Sequence, residues 1–65
     1  MIILDNINIK TMDPNILLSL INTKLRDEYS SLDLLVDDLQ LDKNILVSRL
    51  KEIDYYYDET KNSFK

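Results

Sequence analysis

Three closely spaced aspartates, Asp33, Asp37 and Asp38, are the residues whose type and spacing come closest to catalytic chemistry. Paired carboxylates can exchange protons with a substrate or bind a divalent cation. Neither use is expected here, because adjacent acids on a helix point in different directions and a small domain offers no cavity that would desolvate them. The chain also has no histidine and no cysteine, which excludes zinc sites and nucleophilic triads. We therefore expect no enzyme, no cofactor, no metal and no small-molecule substrate.

The same aspartates suit a protein contact better than a reaction. Asp33 lies near the start of a predicted helix, where the helix dipole explains a negative charge. Asp37 and Asp38 lie further along that helix, beside an outward-facing Leu34. Our candidate partner-binding residues are therefore Leu34, Asp37 and Asp38, which form an acidic patch with an apolar centre that would meet a basic protein. The alternative is an ordinary solvated helix face.

A second set of side chains follows on the next predicted helix, residues 43–53, and suits DNA. Its outer face carries Lys43, Asn44, Val47, Ser48 and Lys51. Asn pairs with adenine edges, Val contacts a thymine methyl group, and Lys reaches guanine or phosphate. The pattern is permissive, because the exposed face of any short helix carries such residues. The aspartates of the neighbouring helix would also lie near the DNA backbone and repel it.

Both sets are positioned by residues 31–53, which predict two short helices joined by a tight turn. Many such corners place glycine where one residue turns left-handed, but this chain has no glycine. Gln40 is therefore expected to adopt that conformation, at a cost of roughly 1 kcal/mol. Leu41 should point inward, and Asp42 should cap the second of the two helices.

An earlier helix is predicted to begin at Pro14. Asp13 before it can accept a hydrogen bond from the first turn, and proline at the first helical position gives up no amide that the helix needs. Apolar residues cover more than one face of this helix: Ile16, Leu17, Leu18, Leu20, Ile21, Leu25 and Tyr29. Either the N-terminal segment or a second protein molecule would cover the surplus, and the second case predicts a homodimer. The alternative is that the domain wraps its central helix on several sides.

Both ends of the chain predict short strands. Apolar and polar residues alternate at residues 7–10, which predicts a possible edge strand within an N-terminal segment, residues 1–12, beside a C-terminal hairpin. A frayed terminus is the alternative. The tail opens with three tyrosines, and residues 58–62 have the polar composition of a turn. The tail is therefore predicted to form a hairpin in which Phe64 covers the tyrosines.

The predicted fold is mainly α. It has a three-helix helix-turn-helix core with a short C-terminal β-hairpin, resembling a winged helix, in a single domain over residues 13–65. A chain of 65 residues buries only a small core. Without a basic leader or a long apolar run, it is expected to be cytoplasmic and not to contact a membrane. Its net charge of -4 disfavours binding to a polyanion.

Two long segments carry a family resemblance. They read MDPNILLSLINTKLRDEYSSLDLL and LQLDKNILVSRLKEIDYYYDETKNSF, and they lie within residues 12–64. Their most specific motifs are D-P-N-I-L-L-S at residues 13–19 and K-L-R-D-x-x-S-S-L-D at residues 24–33. On these motifs the chain resembles a family of short bacterial proteins catalogued as domain of unknown function 4250. The resemblance implies a small stand-alone bacterial protein, and it implies no activity, cofactor or partner.

Two cations in the second motif, Lys24 and Arg26, lie at the expected C-terminal end of the Pro14 helix. The helix dipole favours cations there. Arg26 is expected either to bond the last carbonyls or to pair with an acid of the following helix. The alternative is a small contact site for an anion or a partner.

Two functions remain as hypotheses. The first is a small protein-binding or self-associating module built on a helix-turn-helix frame, with the acidic patch as its contact surface. The alternative is a dimeric DNA-binding transcriptional regulator that uses helix 43–53. Fold analogy favours DNA, whereas charge favours protein contact, and fold alone does not assign function.

Overall fold

Four helices followed by a C-terminal hairpin make up residues 4–65, the part of the chain that the computed structural model describes. The elements are α1 (Asn6–Thr11), α2 (Pro14–Asp27), α3 (Leu32–Leu39), α4 (Lys43–Lys51), β1 (Tyr57–Asp58) and β2 (Ser63–Phe64). The predicted fold class, mainly helical with a short C-terminal hairpin, is confirmed. The core is formed by these buried side chains: Leu4, Ile9, Leu17, Ile21, Leu25, Leu32, Leu35, Leu41, Leu46, Leu50 and Phe64.

The predicted N-terminal edge strand is wrong, because α1 is a helix that packs against α4 rather than a strand beside the hairpin. Asp5 caps it by accepting a hydrogen bond from the Asn8 N–H at 2.7 Å. The alternating apolar residues do not lie on one face, as they would in a strand. Ile9 is fully buried, whereas Ile7 lies on the opposite side of the helix and is 73% exposed. The part of the strand prediction that covered residues 1–3 lies outside the described residues.

A single side chain that the sequence analysis did not assign, Arg49, holds α1 in place. Its Nε donates to the Ile9 carbonyl at 3.0 Å, and its Nη2 donates to the Met12 carbonyl at 2.6 Å. Carbonyls at a helix end lack intrahelical partners, so a guanidinium there satisfies them. Its Nη1 pairs with Glu52, the residue that follows α4. At the other end of α1, the Asn6 side-chain oxygen accepts from the backbone N–H of Asp42 at 2.7 Å.

The predicted start of the central helix is confirmed. The Asp13 carboxylate accepts from the Asn15 N–H at 2.8 Å, and Pro14 occupies the first helical position. The helix is wrapped on several sides by α3, α4 and β2, which is the alternative to self-association considered above. Part of the apolar surface of α2 nevertheless stays uncovered, because Ile16 is 52% exposed.

The joint between α3 and α4 follows the sequence prediction closely. Gln40 ends α3 in the left-handed region with φ 55°. Leu41 is buried, and the Asp42 carboxylate accepts from the Asn44 N–H at 2.9 Å to begin α4. The helix ends at Lys51, two residues before the predicted end at residue 53. Left-handed Asp54 turns the chain there, and the Tyr55 N–H closes back onto Leu50.

The hairpin is antiparallel and is tied to the helices by two asparagines. Asn22 of α2 donates to the Phe64 carbonyl at 3.1 Å and accepts from the Phe64 N–H at 2.8 Å. Asn62, left-handed at φ 50°, donates to the carbonyls of Leu25 and Tyr29, each at 3.0 Å. These bonds attach the β2 side of the hairpin to the C-terminal half of α2 and to Tyr29, which follows that helix.

A tyrosine then connects the hairpin to α3. The Tyr57 hydroxyl donates to the Asn62 side-chain oxygen at 2.6 Å and accepts from the Leu32 N–H at 3.2 Å. Its ring packs against Phe64 with the two centroids 5.5 Å apart. This ring packing agrees with the expectation that Phe64 covers the tyrosines. The start of α3 therefore has a fixed position relative to β1.

Candidate interaction site

A shallow, open depression lies along the outer side of α3 and ends at the turn before α4. We call it the α3 depression, and it is lined by Asp33, Leu34, Val36, Asp37, Gln40 and Leu41. Helical spacing brings Asp33, Asp37 and Gln40 to one side, because they are separated by four and three residues. Leu34 is 53% exposed, whereas Val36 and Leu41 pack against the core and form an apolar floor.

The two acids of the α3 depression differ in their partners. The Asp37 carboxylate makes no hydrogen bond or ion pair with any residue in 4–65. Asp33 pairs with the Lys43 ammonium at 2.8 Å, and this hydrogen bond raises the pKa of Lys43. Both members of that pair are well exposed, so a competing charge can displace it at little cost. The depression therefore presents one free carboxylate and one that is loosely engaged.

The third predicted patch residue, Asp38, does not line the depression. Its carboxylate instead accepts a hydrogen bond from the hydroxyl of Tyr29, which lies two residues after the end of α2. That bond is the main reason why the pKa of Tyr29 is raised to about 12, because an adjacent carboxylate opposes formation of phenolate. The structure thus brings Leu34 and Asp37 together as predicted, and it brings Asp33 rather than Asp38 beside them. The four-residue spacing from Asp33 to Asp37 was the sequence signal for this.

The five residues of the predicted nucleic-acid face of α4 differ in exposure and in whether they are paired. Asn44, Ser48 and Lys51 are exposed along one stripe, and within residues 4–65 their side chains have no intramolecular partner. Val47 is half-buried against the core, and Lys43 is engaged by Asp33. In the described part of the chain, three of the five predicted residues are therefore unpaired, whereas Lys43 is loosely paired with Asp33 and Val47 is partly covered by the core.

A second, narrower groove adjoins the α3 depression. We call it the β1 cleft, and it is lined by Ser30, Ser31, Leu32, Asp33, Lys43, Tyr57 and Glu59. Asp33 borders both concavities, so they meet at this residue, between the α3–α4 turn and the hairpin. This groove could not be predicted from the sequence, because its walls come from three segments that meet only in the folded chain.

The cations at the end of α2 are neutralised locally. Lys24 pairs with Glu28 at 3.2 Å, and Arg26 pairs with Asp27 at 2.9 Å. The expectation that Arg26 would bond helix carbonyls or an acid of the next helix is therefore wrong, since its immediate neighbour supplies the carboxylate. That carboxylate raises the pKa of Arg26, and the guanidinium lowers the pKa of Asp27.

Comparison with known proteins identifies the family. The family model described as Domain of unknown function (DUF4250) matches residues 11–64, and the chain belongs to that family. The match covers α2, α3, α4 and the hairpin, and it begins at the last residue of α1. Comparisons with curated proteins and with solved structures gave no match. Among the helices of residues 4–65, none has the length and apolar character needed to cross a membrane.

Proposed function

We propose that this chain is a non-enzymatic protein-interaction module whose α3 depression binds a basic segment of another protein. The observation that carries the proposal is the exposed Leu34, set over an apolar floor with the free carboxylate of Asp37 at its rim. An apolar side chain of the partner would cover Leu34, and a Lys or Arg beside it would pair with Asp37. An apolar centre with a polar rim is the usual anatomy of a protein interface.

The size of the apolar contribution follows from the exposure of Leu34. Complete burial of a leucine side chain is worth about 1.5 to 3 kcal/mol. Because Leu34 is 53% exposed, covering the remainder contributes about 1 to 1.5 kcal/mol, which is roughly a tenfold change in affinity. Asp37 would add mainly to the rate of association and to partner choice, since exposed charges steer more than they stabilise.

Charge favours a basic partner over a second copy of this chain. Each molecule carries a net charge of -4, so two copies meeting at the α3 depression would bring like charges together. A basic segment would be attracted by the same field. Self-association through this surface therefore ranks below binding to a different, basic protein.

The experiment compares proteins retained from a bacterial lysate by three immobilised variants: the wild type, Leu34→Ser and Ile16→Ser. Ile16 is the matched control, because it is 52% exposed and lies on α2 away from both grooves. The proposal predicts a basic protein that is retained by wild type and Ile16→Ser and is lost with Leu34→Ser. Binding of that protein should weaken about tenfold with Leu34→Ser when measured by calorimetry. If no retained protein depends on Leu34, the proposal fails.

A second candidate function is DNA binding by α4, and one observation favours it. Asn44, Ser48 and Lys51 form an exposed stripe that follows the α3–α4 turn, as base-contacting residues do in helix-turn-helix proteins. Against it, Lys43 is already paired with Asp33. Binding to random duplex in about 50 mM salt tests this candidate, because phosphate contacts are strongest at low salt. Loss of binding with Lys51→Ala would support it, and no binding by the wild type would eliminate it.

A further inference from the structure

The two outer edges of the hairpin differ in whether their backbone groups are paired. Tyr56 and Lys65 exchange both backbone hydrogen bonds, each at 2.9 Å. In an antiparallel ladder the next pair, Tyr57 and Phe64, then directs its N–H and C=O groups away from the partner strand. The hairpin therefore presents outward-facing backbone groups at Phe64 on the β2 side and at Tyr57 on the β1 side.

The β2 edge is closed by the fold. The Asn22 side chain bonds both the N–H and the C=O of Phe64, as a neighbouring strand would. The β1 edge has no such cover, since the N–H and C=O of Tyr57 have no hydrogen-bond partner within residues 4–65. An open edge of this kind can accept a further strand from another chain.

The open edge lies beside the β1 cleft, which Tyr57 and Glu59 line. Glu59 and Asp33 give this cleft two carboxylates against the single ammonium of Lys43, which is itself paired with Asp33. The surface beside the edge is therefore acidic. Each copy of the chain carries a net charge of -4, so repulsion between like charges disfavours pairing of two β1 strands.

We propose that the basic partner segment runs in extended form along the β1 edge, pairs its backbone with Tyr57, and continues across Asp33 into the α3 depression. This inference rests on the proposed function, and it assigns the backbone conformation of the bound segment. When a segment binds by strand addition, its main-chain hydrogen bonds provide affinity, and every second side chain of the segment contacts the protein and provides specificity. Lysine or arginine side chains on one face of the added strand would meet Glu59 and Asp33.

The test uses a defined probe, an acetylated and amidated seven-residue peptide of alternating Lys and Val. Hydrogen exchange of the Tyr57 amide is measured by NMR with the peptide at about nine times its Kd. Exchange at Tyr57 should slow about tenfold, since only about a tenth of the molecules remain free. The same peptide with N-methylated amides keeps its charge but cannot donate to the Tyr57 carbonyl, and it should bind about fivefold more weakly, as expected for the loss of one hydrogen bond.

A pair of charge variants provides the matched control on the protein. Glu59→Gln and Glu28→Gln each remove one negative charge, but Glu28 lies at the end of α2 outside both grooves. Only Glu59→Gln should weaken binding of the peptide. An unchanged exchange rate at Tyr57, with the peptide bound elsewhere or not at all, overturns the inference. So does protection of Tyr57 in a peptide-free dimer, because a second copy would then occupy the edge.

The proposed function and this inference can be refuted independently of each other. If a natural partner depends on Leu34 but leaves Tyr57 unprotected, the α3 depression binds a partner and the β1 edge does not. If the peptide protects Tyr57 but no cellular protein depends on Leu34, the edge accepts a strand while the proposed function is wrong.

Discussion

Replacing Asn62 with alanine tests how the hairpin is held against the helices. The Asn62 amide donates to the Leu25 and Tyr29 carbonyls, and its oxygen accepts from the Tyr57 hydroxyl. Its backbone is left-handed at φ 50°. Alanine would remove all three side-chain bonds and would also occupy a backbone region that a Cβ atom disfavours.

The expected loss can be worked from these contacts. Each hydrogen bond contributes about 1 kcal/mol net, and left-handed backbone costs alanine about 1 kcal/mol. Because water replaces part of what is lost at this half-buried position, Asn62→Ala should lower the free energy of unfolding by about 2 to 4 kcal/mol. A domain of this size has about 3 to 10 kcal/mol in total, so the variant should lie near the limit of stability.

The assay is urea unfolding followed by circular dichroism, with Asn62→Gly as the matched variant. Glycine loses the same three bonds but tolerates the left-handed backbone, so it should be less destabilising than alanine by up to about 1 kcal/mol. A loss below about 1 kcal/mol for Asn62→Ala would contradict this prediction, because the three hydrogen bonds would then contribute nothing measurable. Equal losses for alanine and glycine would refute only the backbone part.

Three further predictions concern other parts of the fold. Arg49→Met should leave the last carbonyls of α1 without a donor, and hydrogen exchange at the Ile9 amide should speed up at least about tenfold while the remaining helices keep their protection. Gln40→Gly should raise the free energy of unfolding by about 1 kcal/mol in urea titrations, because φ 55° is unstrained for glycine. Tyr29→Phe should flatten the decline in stability at high pH. The folded pKa of Tyr29, about 12 beside Asp38, exceeds the unfolded value of 10.0, so this stabilisation is complete below pH 10 and is lost as the pH rises towards 12.

Local signals in the sequence predicted where α2, α3 and α4 start. Asp13, Ser31 and Asp42 each accept a hydrogen bond from an amide two or three residues later, so a short window contains both partners. Gln40 could be assigned a left-handed backbone because the turn needs one and no glycine is present. Leu34 and Asp37 could be placed on one outer side from helical spacing alone.

The parts that could not be predicted depend on partners far apart in the chain. Arg49 binds carbonyls 37 and 40 residues away, and Asn22 binds Phe64 across 42 residues. No local sequence pattern identifies such pairs, because the two partners are far apart in the chain and become neighbours only in the folded structure. The helix at residues 6–11 was mistaken for a strand for a related reason. Four residues are too few to distinguish a strand from a helix, and α1 forms a helix in which Ile9 is buried and Ile7 is exposed.

The proposed interaction surface can be tested by locating where a natural partner binds. The protein retained by wild type and lost with Leu34→Ser is titrated into the isotope-labelled chain, and backbone amide shifts are recorded by NMR. The proposed function predicts that the largest changes fall on residues 33–41. Changes concentrated on Asn44, Ser48 and Lys51 instead would contradict it, since α4 and not the α3 depression would then be the contact surface.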